Sequence, residues 1–174
     1  GPIDILFFDG EAEGLKQLAW KLQPDVVVTR GDIKTPEQHL PDEPLPGPWE
    51  GCFTLGTQWS YKPTNEEYKS GGRLIEMLIE TRAKGGNLLL NVGPMPNGEL
   101  ALPQTDRIRE MALWNFVNHE AIYQIRPWSV IREDNVWYTR SSQADTVFAI
   151  ITHTGWPKGK RLNFTLNEVR ATEQ

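Results

Sequence analysis

The stretch IDILFFDGEAEGLKQLAWKLQPDVVVTR, residues 3–30, decides the fold. Ile3 to Phe8 reads as a buried strand, because it is apolar on both faces as strands of parallel sheets are. Residues 11–22 follow with Leu15, Leu18, Ala19 and Leu22 at helical spacing, and Pro24 ends that helix. Asp25 to Thr29 is a second short strand. The unit is β–α–β, so the two strands are expected to run parallel with a right-handed crossover. Asp9-Gly10 stands directly at the end of the first strand. A turn explains that placement, and so does a nucleophile at the mouth of a parallel barrel.

Working outward, residues 30–49 carry Pro36, Pro41, Pro44, Pro46 and Pro48 and read as a long loop, of the length that is functional or disordered in compact domains. Strands are expected at 52–56 and 87–92. Between them a helix spans 65–83, with Leu74, Met77, Leu78 and Thr81 on one stripe. Gly85-Gly86 ends it. After Pro96-Asn97-Gly98, a helix over 103–117 has Pro103 in its first turn. Strand and helix alternate up to this point, which indicates an α/β parallel sheet. Beyond about residue 121, VWYTR, TVFAIIT and RLNFTL are short alternating strands separated by polar turns, an antiparallel pattern that puts a boundary near 119–130. Asn163-Phe164-Thr165 is a glycosylation acceptor motif that has meaning only on a eukaryotic secretory route.

The chain has 174 residues, enough for an ordinary core, and a formal charge of −5 without a basic block. Nucleic acid and anionic membrane are therefore poor partners. No apolar run approaches the roughly 20 residues that span a bilayer. One cysteine, Cys52, excludes an internal disulfide. No His/Cys/Asp cluster has metal-ligand spacing, so neither metal nor other cofactor is expected. Seven tryptophans and four tyrosines are many for this length. Flat aromatic faces suit the C–H faces of sugars, although most such rings fill cores.

Asp9, Arg30 and Asn91 stand at or just past expected strand ends, where a parallel β/α barrel builds its active site. Glu50 leads into the next strand. Retaining glycoside hydrolysis needs an ionised carboxylate and a protonated carboxyl roughly 5–5.5 Å apart. Arg30 is expected to stabilise the charge of Asp9, and the wall beside Trp49 to desolvate Glu50 and raise its pKa. Spacing along the chain does not show that the two meet.

The runs WEGCFTLGTQWSY (49–61), KGGNLLLNVGPMPNGEL (84–100) and NHEAIYQIRPW (118–128) resemble glycoside hydrolase family 29, the α-L-fucosidases. GPIDILFFDG resembles the strand that carries that family's nucleophilic aspartate. The resemblance covers nearly the whole chain with its motifs in order. It implies a partial (β/α) barrel, the C-terminal portion of the catalytic domain, over residues 1–120. The start of an antiparallel β domain would occupy 121–174. It also implies a retaining exo-α-L-fucosidase, with Asp9 as nucleophile and Glu50 as general acid/base. Arg30, Trp49, Trp59 and Tyr61 would bind the sugar, with Trp59 against the fucose methyl face. DIKTPEQHLP (32–41) resembles the subgroup selective for α-1,3- or α-1,4-linked fucose.

Some positions depart from the pattern. Phe7 stands where the family often has Trp, Ser60 where it has Gly, and His119 where it has Gly. The N-terminal barrel half, whose histidines grip the fucose hydroxyls in the family, is not matched: His39, His119 and His153 lie in other contexts. The expectation is a chain that begins in mid-barrel. Its partners would be a fucosylated oligosaccharide and, to cover open strand edges, a second copy or a complementary chain. The alternative is a non-catalytic fucosidase-like fragment that binds sugar weakly or needs such a partner. A lectin-like module over 130–170 has too few strands to stand alone.

Overall fold

The structure, a computed structural model, describes residues 1–152, 159 and 161–170. The first unit is the expected one. Strand β1 (Ile5–Phe7), helix α1 (Leu15–Leu22) and strand β2 (Val27–Thr29) follow in order. β1 and β2 pair in parallel, Ile5 opposite Val27 and Phe7 opposite Thr29. Helix α1 begins later than expected because Gly14 sits in the left-handed region, with φ 76°, and marks the boundary.

Strand β3 (Glu50–Thr54) and strand β4 (Asn87–Asn91) form a second parallel pair. The proline-rich connection between β2 and β3 is more than a loop. Ile33 N donates to Val28 O at 3.2 Å, Glu50 N to Lys34 O at 2.9 Å, Cys52 N to Pro36 O at 2.9 Å and Gln38 N to Cys52 O at 2.9 Å. Residues 33–38 thus run parallel between β2 and β3 and join the two pairs. Pro36 has no N–H to give, so it accepts without donating and the ladder breaks into isolated bridges.

Helix α2 (Gly71–Ala83) lies at the centre. It starts at Gly71, not 65, because Ser70 is its N-cap and accepts from Arg73 N at 3.1 Å. Leu74 and Met77 pack with Phe53 and Leu55 of the β3 region, while Ile79 and Ala83 pack with Ile122 and Trp137. One helix therefore serves both the parallel strands and the antiparallel sheet. The Arg82 guanidinium ties its end down, bonding Ile122 O at 3.0 Å and Gly86 O at 2.7 Å. Helix α3 (Leu102–Asn118) packs on α2 through Ile108 and Met111.

The antiparallel sheet has the order β5–β6–β7, with β5 spanning Ile125–Glu133, β6 Val136–Ser141 and β7 Val147–Ile151. β5 extends through Pro127, which an edge strand tolerates, and its register shifts between Pro127 and Arg132. Residues 161–166, expected as a strand, form none. The segment after them is held by side chains: Glu133 accepts from Asn167 N at 2.9 Å and from the Tyr138 hydroxyl at 2.8 Å. His153 lies outside the described residues.

One expectation fails on burial. Ile3 to Phe8 is not enclosed: Ile5 is 59% and Phe7 38% exposed, and Val27 of β2 is 42% exposed. β1 has one neighbouring strand, β2, among the described residues, so nothing there covers its second edge. Leu113, Phe116 and Val117 on α3 are likewise exposed. Among the described residues no helix is long and apolar enough to cross a membrane.

Candidate active site

In parallel strands all C-terminal ends lie on one side, so the residues just past them gather at one rim. The chain leaves β1 through Phe8 to Asp9 and leaves β2 directly into Arg30. β4 ends at Asn91, paired with Thr54 at the end of β3. These ends frame a cleft of about 430 Å³ lined by Phe7, Asp9, Arg30, Glu37, Cys52, Trp59, Leu89 and Asn91. Its composition is half charged or amide and half apolar, as expected for a site that orients a polar ligand against an apolar wall.

The electrostatic centre is Arg30. Its Nη1 donates to Asp9 Oδ1 at 3.1 Å, and its Nη2 pairs closely with Glu37 Oε2. The guanidinium carbon lies 5.4 Å from the centre of the Phe7 ring. The Glu37 hydrogen bond is the main cause that raises the Arg30 pKa above its usual value. Arg30 has φ 45°, uncommon outside glycine, and its backbone N–H donates to Thr35 Oγ1 at 3.0 Å. Asp9 is open to solvent, with 80% of its side chain exposed.

Glu50 is elsewhere. It is the first residue of β3, paired with Asn87, the first residue of β4. Alternation along β3 puts Glu50, Cys52 and Thr54 on one face, so Glu50 faces the same way as Cys52 but one step deeper. Cys52, two residues further along the same face, lines the cleft together with Asp9. Burial does raise the Glu50 pKa, the direction a proton donor needs. Burial also pushes the Cys52 thiol up, so this cysteine is not an activated nucleophile.

The aromatic candidates divide in the same way. Trp59 lines the cleft and is 43% exposed, free to offer its ring face. Trp49 is 1% exposed, donates from Nε1 to Lys84 O at 3.2 Å, and covers Gly86 so closely that a Cβ there would sit 2.4 Å from its ring. Trp49 is therefore a core residue with no face for a sugar, a correction to its expected role. Tyr61 lies behind the rim in a small cavity with Glu66, Tyr68 and Gln104. Its backbone N would be 2.6 Å from a Cβ on Gly93, so that glycine lets the 60–61 segment approach β4. Glu66 accepts from Thr57 N at 2.5 Å, and that bond lowers its pKa.

Glu37 is the site residue that the sequence hid. It lies within a proline-rich stretch that read as a loop, and only its separation of seven residues from Arg30 hints at a pair. Gln104 was equally silent. It is 1% exposed on α3 and bonds Gly93 on both sides: Gly93 N donates to Oε1 at 2.9 Å, and Nε2 donates to Gly93 O at 2.8 Å. Asn91 Oδ1, at the rim, is buried without a hydrogen-bond partner. Among the described residues there is no group of three or more His, Cys, Asp or Glu side chains placed to hold a metal.

Comparison with known proteins agrees with this architecture. A family described as Alpha-L-fucosidase matches residues 1–120. The alpha-L-fucosidase of Branchiostoma floridae is 38% identical over 120 residues, which are 66% of this chain and 26% of the relative. The plasma alpha-L-fucosidase of Rattus norvegicus is 34% identical over 132 residues, 72% of this chain and 28% of the relative. The chain thus spans about a quarter of the length of these relatives. Among solved structures, alpha-L-fucosidase isoenzyme 1 from Paenibacillus thiaminolyticus superposes with a TM-score of 0.75 at 30% identity, covering 81% of this chain and 41% of its own. The Thermotoga maritima alpha-fucosidase does so with a TM-score of 0.74 at 29% identity, covering 94% and 42%. A family 29 fucosidase of Bacteroides thetaiotaomicron, trapped as a covalent intermediate, shares the fold at 20% identity with a TM-score of 0.78, covering 90% of this chain and 46% of its own. The chain belongs to the alpha-L-fucosidase family.

Proposed function

We propose that the chain is the section of a retaining exo-α-L-fucosidase that supplies the nucleophile, Asp9. Residues 1–120 are then the C-terminal portion of a (β/α) barrel, and residues 121–174 open a C-terminal β domain. The observation that carries this reading is the Asp9–Arg30 pair at the strand ends, in a cleft that Trp59 also lines. In the reaction an Asp9 carboxylate oxygen attacks the anomeric carbon of a terminal α-linked L-fucose. The glycosidic C–O bond breaks as the leaving oxygen takes a proton from an acid, and water then cleaves the fucosyl ester. Arg30 stabilises the attacking carboxylate, and the exposed face of Trp59 packs on the sugar. Glu50, the expected donor, has its pKa raised by burial, the direction a proton donor needs. The donor has to stand at the rim that Asp9 occupies, within the roughly 5–5.5 Å that a retaining pair requires.

The test is release of 4-nitrophenol from 4-nitrophenyl α-L-fucoside by the purified chain beside its Asp9→Ala variant. The expected outcome is release that falls below about a thousandth in the variant, with the circular dichroism spectrum unchanged. Persistence of activity in Asp9→Ala would overturn the nucleophile. A second reading is favoured by the exposed flank of Ile5, Phe7, Val27 and Leu89: the site is completed by a second copy or by a complementary section of chain. A folded chain that releases nothing until such a section is added is the outcome that selects it.

A further inference from the structure

A second cavity, of about 350 Å³, lies where helix α3 gives way to the antiparallel sheet. One wall is the corner from His119 to Gln124, and the other is the β6–β7 turn with Phe148 of β7. Helix α3 leaves the rim beside Gly93, which Gln104 holds, and runs for 17 residues, roughly 25 Å. The cavity stands at its far end, out of reach of a sugar seated beside Asp9.

Both walls are fixed before anything binds. Gln124 has φ 53°, in the left-handed region, and its carbonyl accepts from Ser142 N at 2.8 Å and from Ser142 Oγ at 2.6 Å. Ser141 Oγ accepts from Gln143 N and from Ala144 N, each at 3.1 Å, and Ser141 N donates to Thr146 O at 2.9 Å. The Tyr123 hydroxyl oxygen accepts from Asn115 Nδ2 at 2.8 Å, which anchors the ring and leaves the hydroxyl proton to be donated. Tyr123 is nevertheless 59% exposed. Backbone held in the left-handed region outside glycine gathers at binding sites, and here it joins an aromatic ring fastened by its tip and open to solvent.

We propose that this cavity is a second carbohydrate site, separate from the cleft, that takes one neutral pyranose ring of a glycan. The lining chemistry selects the ligand. Tyr123 and Phe148 offer apolar surface to the C–H face of a ring. Glu120, Gln143 and His119 stand around them, and a carboxylate, an amide and an imidazole together supply donors and acceptors for neighbouring hydroxyls. No lysine or arginine lines the cavity, so a sulfated or acidic sugar would meet the Glu120 carboxylate without a cation to offset it. The volume is near the lower end of the range for small-molecule sites, about 300–1,000 Å³, which suits a single ring. Distance from the rim makes the site a point of attachment to a glycan, not a subsite of the reaction. It stands whether or not Asp9 is the nucleophile.

The test is a titration of the isotope-labelled chain with the methyl glycosides of L-fucose, D-galactose, D-mannose and N-acetyl-D-glucosamine. The readout is the backbone amide resonances of residues 119–124 and 141–148. At least one glycoside is expected to give saturable shifts in both segments, in the millimolar range that a single ring reaches. Tyr123→Ala is expected to weaken that binding at least about fivefold, and Tyr123→Phe by a smaller factor, because the ring stays. Glu120→Gln is expected to weaken it about threefold. Should Tyr123→Ala unfold, Gln143→Ala carries the expectation of weaker binding, since the turn is held by backbone bonds that this change leaves in place. Asp9→Ala is expected to bind as the native chain does, which separates this site from the catalytic reading. Loss of binding in Asp9→Ala, or shifts confined to the rim, would put the sugar in the cleft and overturn the proposal. Saturable shifts with tetramethylammonium and none with the glycosides would make the cavity a cation site and overturn it too. So would the absence of saturable shifts with all four glycosides.

Discussion

At the residue scale, two carboxylates with similar sequence surroundings have opposite situations. Asp9 follows its strand and is open to water, while Glu50 begins its strand and is half-buried. Burial alone raises the Glu50 pKa above the ordinary value of 4.5. The consequence for stability has a definite sign. A carboxyl with a raised folded-state pKa binds more protons in the folded state, so stability declines as pH rises from the ordinary value through the raised one. Glu50→Gln removes that decline. Urea unfolding between pH 4 and pH 7 is expected to show a shallower fall for the variant than for the native chain, and a variant no less stable at pH 7. Identical slopes would mean that the Glu50 carboxylate is solvated in the fold. Asp9 and Arg30 were readable at this scale, because each directly follows a run of apolar strand residues. Glu50 was readable in part: the sequence already places it at the start of its strand.

At the scale of elements, the β4 end is held by α3 through one side chain. Gln104 is enclosed, and both its amide oxygen and its amide nitrogen are used on Gly93. Removing it leaves a buried N–H and a buried C=O without partners, at about 1–3 kcal/mol for each group. Gln104→Ala is expected to lower unfolding stability by about 2–4 kcal/mol, measured by denaturant titration. A loss under about half a kcal/mol would mean that water takes over both bonds. Leu74, Met77 and Thr81 of α2 were legible from their spacing, since helical period and burial coincide there. Gln104 was not, because a polar residue on an amphipathic helix reads as solvent-facing. The 33–38 ribbon was hidden for a related reason. Proline is the usual sign of a loop, and nothing local says that carbonyls on either side of it will be used by a distant strand.

At the scale of the whole molecule, the antiparallel sheet is joined to the rest through α2, and the described tail is joined to the sheet through Glu133. That carboxylate accepts from Asn167 N and the Tyr138 hydroxyl, and the Asn167 bond is the main cause that lowers its pKa below 4.5. Tyr138 answers in the other direction, pushed up to about 12 by burial first and by Glu133 second. A depressed carboxylate contributes its stabilisation above the ordinary value and loses it as pH falls through the lowered one. Attachment of the tail is therefore expected to be intact at neutral pH and to fail in acid, seen as movement of the Asn167 amide resonance between pH 5 and pH 2. An Asn167 amide that does not move over that range would sink the assignment. The same docking accounts for residues 161–166, whose alternation suggested a strand: the segment that follows them is held by side chains, and they form no ladder.

By itself the sequence determined the order of strands and helices, the change from parallel to antiparallel pattern, and the family, because these follow from local periodicity and from contiguous motifs. It also determined that Asp9 and Arg30 would share a rim, since both directly follow parallel strands. Tertiary structure decided the rest. Packing against Gly86 enclosed Trp49. Folding of the 33–38 ribbon against β3 delivered Glu37 to Arg30. Each of these is a relation between residues distant in sequence, and only the closing of the chain brings such partners within bonding distance.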